Sequence, residues 1–489
     1  MKRVLILGAG VAGLAAALRV LELRPDWEVG IIEKDDHAGG LASGWNIEDF
    51  SADLGPHRIY TELPEIERLL PELIGHEQLL TVQRQSELLL EGHYFQYPVK
   101  AGELLRVLGP VRMAKFAVSA AAAKLGGLIG GGRNFEEVMI HAFGAATYRL
   151  LVGPYARKVW KTEPLRLSAE VARVRVSAGN VNRIVSKILG RNEQKGRQTA
   201  LKEFGYIRGG VKNLVENLRQ KVEARGGTIA LRADVRGFKA HGGELAGVRV
   251  TEVRRDDNGL ALSDSHSDTS AVNLVEADYI ISTIPLTELL DHLQLVTPDA
   301  RANEAASEFT YLGLILVGLV IRKPQCTPNS WLYFPEEKYI FNRAYEPRNF
   351  DAGMAPGDRT LVVFEVTSRW DGLEWQQGDE TIASRVREDA IKAGVVKPEE
   401  IESVHVRRVP FAYPLYTTEF RERLRTVTSY LRQFSNLVST GRQGLFNHNN
   451  MDHSMLMGIR AAEFVAEEGE VAARWCDKLD QFSHFRIVD

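Results

Sequence analysis

Cysteine is nearly absent: 489 residues contain two, Cys326 and Cys476. Neither their number nor their spacing suits a disulfide framework or a metal site, so a stapled secreted scaffold and a cysteine-ligated metal centre are excluded. The opening residues read as a strand and not as a signal peptide, so a reducing cytoplasm is the expected compartment. An excess of one charge is lacking too. Lys and Arg total 61 and Asp and Glu 64, a net of −3, so no overall field draws the chain to nucleic acid or to an acidic membrane, although local patches stay open. Long apolar runs are missing as well. Residues 116–132 come nearest, but Lys124 and several glycines interrupt them, and they fall short of the roughly 20 apolar residues of a span. They read as a buried or partly exposed helix, or else as a lid or membrane-surface element. No repeat or low-complexity linker is present. With 44% hydrophobic and 26% charged residues, the chain has a globular composition, and its length calls for two or three interwoven domains.

What is present is concentrated at the start. The apolar run Val4-Leu5-Ile6-Leu7 is followed at once by Gly8-Ala9-Gly10-Val11-Ala12-Gly13 and an Ala/Leu-rich helical stretch. A second strand, Val29-Gly30-Ile31-Ile32, then ends in Glu33. Strand, glycine turn, helix and acid-tipped strand make up a dinucleotide fingerprint. Gly8 makes the tight turn, Gly10 admits a pyrophosphate, Gly13 lets helix and strand approach, and Glu33 holds ribose hydroxyls. The helix start supplies the partial positive charge. Gly39-Gly40-Leu41-Ala42-Ser43 adds a second bare stretch of backbone for a phosphate.

Further along, residues 50–60 read as a strand entering the turn Gly55-Pro56, with His57 just beyond it. Residue type alone leaves His57 open as an ordinary surface histidine. Residues 64–74 read as a helix, 86–98 as a hairpin turning at Glu91-Gly92-His93, and 101–199 as an inserted helical domain. A helix over 211–225, paired strands over 235–253, a polar loop at 254–270, and a strand at 279–282 with its turn at Pro285 follow. Residues 310–410 are strand-rich.

The paired glycine motifs resemble the flavoprotein fold of the amine oxidase, protoporphyrinogen oxidase and UDP-galactopyranose mutase superfamily, which implies FAD, here without a covalent bond. The resemblance to the mutases extends over nearly the whole chain. Gly441-Arg442-Gln443-Gly444, with Asn450-Met451-Asp452 and a following helix, is similar to their closing FAD motif. Backbone amides from Asn450 onward then face a reduced isoalloxazine. Gly55-Pro56-His57 resembles the turn that lies against the flavin, and Lys158-Val159-Trp160 resembles a segment at the substrate site. By the same resemblance Arg175 and Arg343 form a diphosphate clamp, the latter after Trp331-Leu332-Tyr333-Phe334-Pro335-Glu336, and Tyr413-Pro414 supplies a phosphate-binding tyrosine. Read without it, Arg175 belongs equally to a solvated face with Arg166, Arg173 and Arg183, Trp160 to a core, and Tyr413 to a strand end. Where the family has tyrosines, this chain has His448 and Asn449, and His448 is expected to donate to phosphate in their place.

The expected fold is therefore α/β: a Rossmann-like FAD domain of the GR2 type from residues 1–100, 200–300 and 410–470, a helical insertion at 101–199, and a mixed β substrate domain at 301–409. The leading function is a mutase-like, redox-neutral isomerisation of a nucleotide sugar on reduced FAD, with NAD(P)H a possible reductant. His57, Arg343 and Arg175 are the catalytic candidates. An oxidase or desaturase is the alternative, and a non-catalytic flavin module the third reading. The sequence leaves the sugar, the nucleotide and the oligomeric state open.

Overall fold

The apolar run at the start of the chain becomes Arg3–Leu7, the middle strand of a five-stranded parallel sheet. The order is Leu437–Ser439, Tyr279–Ser282, Arg3–Leu7, Glu28–Ile32, Thr228–Ala230. Val4 and Ile6 join the core around helix Val11–Leu23, while Leu5 and Leu7 join the core around helix Leu286–Gln294. Alternate side chains of one buried strand thus serve two faces, as a doubly covered parallel sheet requires. The computed structural model describes residues 1–97, 99–126, 132–175, 202–253, 273–469 and 471–485. The polar loop expected at 254–270 lies outside them.

Two helices touch through their backbones on this sheet. A Cβ on Gly13 would collide with Gly8 O, and one on Gly458 would collide with Ala12 O. Helix Val11–Leu23 is therefore clamped between its own strand and helix Met451–Ala466.

A second, seven-stranded sheet runs Ile401–Pro414, Tyr311–Ile321, Thr360–Ser368, Arg343–Tyr345, Trp331–Tyr333, Ser86–Leu90, His93–Gln96. Every residue of Tyr311–Ile321 is buried, and each such Leu, Ile or Val contributes about 1.5–3 kcal/mol. The hairpin expected within the first hundred residues belongs to this sheet, since Ser86–Leu90 pairs in parallel with Trp331–Tyr333. A three-stranded antiparallel sheet, Ala233–His241, Glu244–Glu252 and Asn273–Glu276, caps the first.

The inserted region is helical where it is described: Ala101–Gly126, Phe135–Phe143, Gly153–Trp160 and Ala169–Arg175. The long first helix breaks at Gly109, whose φ of 77° lies in the left-handed region, just before Pro110. Among the described residues no helix is long and apolar enough to cross a membrane. Lys158 ties the insertion to the second sheet. Its buried Nζ donates to Phe334 O at 2.6 Å and to Glu336 O at 2.8 Å. Burial, with Lys161 nearby, pushes its pKa down to about 7 against the pull of Asp389, Glu336 and Glu337.

Candidate active site

The carboxyl ends of the parallel strands open on a cavity whose far wall is the second sheet. At one end the wall is backbone. Gly8, at φ 98°, turns the chain and donates its N–H to Ile32 O at 2.8 Å. Gly10 bridges to Gly39, whose N–H donates to Ala9 O at 2.9 Å, and a Cβ on Gly40 would stand 3.5 Å from Gly10 Cα. The two glycine motifs are thus one cradle. Helix Val11–Leu23 starts there with no side chain capping it, so its first amides face the cavity beside Gly10, Val11 and Ala12. Gly13 lies behind this surface, where it lets helix and strand pack.

Glu33 sits at the tip of its strand, buried, and accepts hydrogen bonds from Ala9 N at 2.8 Å and Asp35 N at 2.9 Å. Burial raises its pKa, and the two amides act against that. Lys34 pairs with Glu288 at 3.2 Å beside it, and Asp234, Val235 and His292 complete this end.

At the other end a second helix start meets the cavity. Asn450, Met451 and Ser454 line it, and Asn450 N donates to His453 Nδ1 at 3.2 Å. That bond removes the Asn450 amide from the expected row and leaves the first-turn amides of Met451 and Asp452. Arg442 lines the cavity and braces the loop, donating to Ala412 O at 3.1 Å and to Asn449 O. His57 stands opposite with its Nδ1 buried, without a hydrogen bond, and 3.8 Å from Asp53 Oδ2. Asp53 is fixed in turn by the Tyr206 hydroxyl at 2.8 Å and Val211 N at 3.0 Å.

The second sheet contributes Leu314, Trp331, Tyr333, Arg343 and Tyr413. Arg343 is opposite Glu365 in the strand register and is bound by it through a fork, Nε to Oε1 at 3.0 Å and Nη2 to Oε2 at 2.7 Å. Burial opposes the charge on Arg343, but Glu365 outweighs it and holds the guanidinium pKa above its usual value. Glu365 is 1% exposed and Arg343 21%, so the pair presents little net charge to the cavity.

Thirteen expected site residues therefore converge on the cavity wall: Gly8, Gly10, Glu33, Gly39, Gly40, Leu41, His57, Arg343, Tyr413, Gly441, Arg442, Asn450 and Met451. Others do not reach it. His448, expected to face substrate phosphates, is buried behind the wall, its ring 5.5 Å from Trp160 and 5.7 Å from Tyr413. An aromatic replacing an aromatic in a core explains that placement better than a ligand contact. Trp160 is buried in the same cluster. Asp452 is buried in the first turn of its helix and is absent from the lining. Arg175 ends helix Ala169–Arg175, and its side chain lies outside the described residues. Sequence reasoning missed Glu365 and the Lys34–Glu288 pair, for which no local motif gives a signal.

The donor set fits FAD. A two-glycine cradle at one helix start, an acid at the tip of the next strand, a second helix start and an orphaned histidine nitrogen are the features a dinucleotide with a redox-active ring requires. The model of the family described as flavin containing amine oxidoreductase matches residues 11–466. The chain is 21% identical over 490 aligned residues to coproporphyrinogen III oxidase of Staphylococcus aureus (strain NCTC 8325 / PS 47), covering 96% of this chain and 99% of that protein. It is 22% identical over 435 residues to 4,4'-diaponeurosporene oxygenase of Staphylococcus aureus (strain USA300), covering 78% and 74%. A solved structure of reduced UDP-galactopyranose mutase superposes with a TM-score of 0.78 at 21% identity, covering 100% of this chain and 98% of that one. These likenesses carry the α/β fold, and the family match carries the assignment: the chain belongs to the flavin containing amine oxidoreductase family, as an FAD-dependent flavoenzyme.

Proposed function

We propose that this protein is an FAD-dependent oxidoreductase that oxidises an organic substrate lacking a diphosphate group. The Arg343–Glu365 fork carries this reading. A dianionic leaving group needs cations to spare, and here the described arginine of the expected clamp is already matched by a buried carboxylate. The residues of the second sheet nearest it are aromatic and apolar, Trp331, Tyr333, Leu314 and Tyr413, while Arg58, Arg407 and Arg408 line other parts of the cavity, Arg408 paired with Asp379. The names of the two Staphylococcus relatives, an oxidase and an oxygenase, support the same direction.

When bound, FAD supplies a two-electron acceptor. Gly8, Gly10, Gly39 and Gly40 would hold its pyrophosphate and Glu33 its ribose, while Gly441, Arg442 and Met451 would border the ring. The aromatic wall orients the substrate and excludes water. His57 Nδ1, 3.8 Å from the Asp53 carboxylate, is the atom placed to carry a proton to or from the substrate. The helix start at Met451 and Asp452 places partial positive charge where negative charge develops.

A mutase-like isomerisation is the second reading, favoured by one observation. Arg343 still lines the cavity beside Tyr333 and Tyr413, with Nη1 outside its fork to Glu365. In that case the substrate is a nucleotide sugar, and NAD(P)H is a possible reductant. The division into residues 1–100, 200–300 and 410–470 around the flavin, 101–199 and 301–409, and the cytoplasmic setting, belong to both readings. The flavin absorbance band separates them. Under anaerobic conditions a porphyrinogen, polyene or amine should bleach it. If none does, while dithionite-reduced protein interconverts the ring forms of a nucleotide sugar, the oxidoreductase reading fails.

A further inference from the structure

The broken helix Ala101–Gly126 carries a surface that the cavity does not use. Beyond the kink its inner face is fixed: Ser119 Oγ accepts a hydrogen bond from Ala146 N at 3.0 Å, and the backbone of Gly144 lies against Ser119 and Ala120. Among the described residues nothing covers the opposite face. Val111, Ala114, Val118 and Ala121 recur there at helical spacing, all exposed, and both valines are 70% accessible. Leu105, on the segment before the kink, is 47% accessible. Cations border the stripe on both sides, Arg112 and Lys115 on one and Lys124 on the other, all exposed. Arg112 is held by Glu91. Across the whole helix Arg106, Arg112, Lys115 and Lys124 stand against the single acid Glu103, in a chain of net charge −3.

We infer that this face lies on the surface of a bilayer containing anionic lipid, with the valines at the headgroup boundary and the lysines reaching phosphates on either side. An apolar stripe bordered by cations is the pattern of an interfacial helix. Charge complementarity selects the occupant. Arg112 is matched by Glu91, and residues 110–126 hold no acid for Lys115 and Lys124, so a second copy of the chain would set these lysines against each other, whereas an anionic headgroup layer offsets both.

Vesicle flotation of the full-length, flavin-loaded protein tests this. Vesicles of phosphatidylcholine with phosphatidylglycerol should carry the protein, vesicles of phosphatidylcholine alone should not, and added salt should release it. Lys115→Gln with Lys124→Gln should lower partitioning roughly twenty-five-fold, at about fivefold per cation. Val111→Asp with Val118→Asp should abolish it. Both pairs of changes are on the surface, so unchanged flavin absorbance reports an intact fold. Equal flotation with both lipids, or none with either, overturns the inference. So does a dimer in sedimentation that Val118→Asp dissolves, which would assign the stripe to a second copy.

Discussion

Along the first sheet the cavity wall is backbone, the turn at Gly8, the amides at Val11 and the bare faces of Gly39 and Gly40. Along the second sheet it is side chain: Trp331, Tyr333, Arg343 and Tyr413. The first wall depends on residues that are small, and the second on residues that are matched. A ligand held by amides is held by groups common to every residue, so that wall suits a cofactor shared by many enzymes. The other wall sets what is turned over, and it does so with cross-strand partners such as Arg343 and Glu365.

The largest expected effect lies on the backbone wall. A Cβ on Gly10 would meet only Gly39 O, at 4.0 Å, so the fold accepts alanine there. Gly10→Val fills the pyrophosphate's place instead, and should yield colourless protein whose melting curve matches that of the flavin-free parent. A yellow Gly10→Val protein would remove the distinction between the walls. On the side-chain wall, Glu365→Gln strands the Arg343 charge and should cost about 3–5 kcal/mol in denaturant unfolding. Arg343→Met with Glu365→Leu should recover most of that loss, because the pair is neutral as a unit.

Next in size is His57→Ala. It should keep FAD and lose at least roughly a hundredfold in turnover, since binding resides in the glycine cradle and proton handling here. Parental turnover would strip the histidine of its role, and loss of FAD would make it part of the pocket's frame.

The last expected effect appears only on changing the pH and concerns the strut behind the side-chain wall. Lys158 has a folded pKa of about 7 against an ordinary value of 10.5. Between those values the unfolded chain holds the proton and the folded one does not, so stability should rise with pH by up to about 1.4 kcal/mol per unit. The gain is complete above 10.5 and lost as the pH falls to about 7. A neutral amine keeps two N–H groups for the two carbonyls of Phe334 and Glu336, so discharge breaks neither bond. Lys158→Met should flatten that part of the pH–stability curve, read by denaturant midpoints at pH 7 and 9.

The backbone wall was legible in the sequence because its signals are local. Gly8, Gly10, Gly13 and Glu33 fall within one strand, turn, helix and strand, and chemistry that uses bare amides requires glycine in the text itself. The helix Pro64–Ile74 and the hairpin strands Ser86–Leu90 and His93–Gln96 were legible for the same reason. The hairpin's place was not, because its pairing with Trp331–Tyr333 joins segments far apart in the chain. Arg343 was found through its motif but its partner was not. Glu365 reaches it only through the register of two antiparallel strands, which periodicity does not encode. His448 shows the converse: a polar residue type suggested a ligand contact, and burial among Trp160, Tyr413 and Tyr416 overrode it.

The backbone contact at Gly458 and Ala12 has a consequence for cofactor choice. It locks two helices against each other, and each begins at the cavity, one at Val11 and the other at Met451. The two positive poles therefore work as the jaws of a calliper with a fixed opening. A ligand satisfies both only if it carries an anionic linkage and a ring system the right length apart. FMN, with one phosphate and no second nucleoside, closes on one jaw alone, so the protein should measure its cofactor by length and reject FMN even where the isoalloxazine ring is identical.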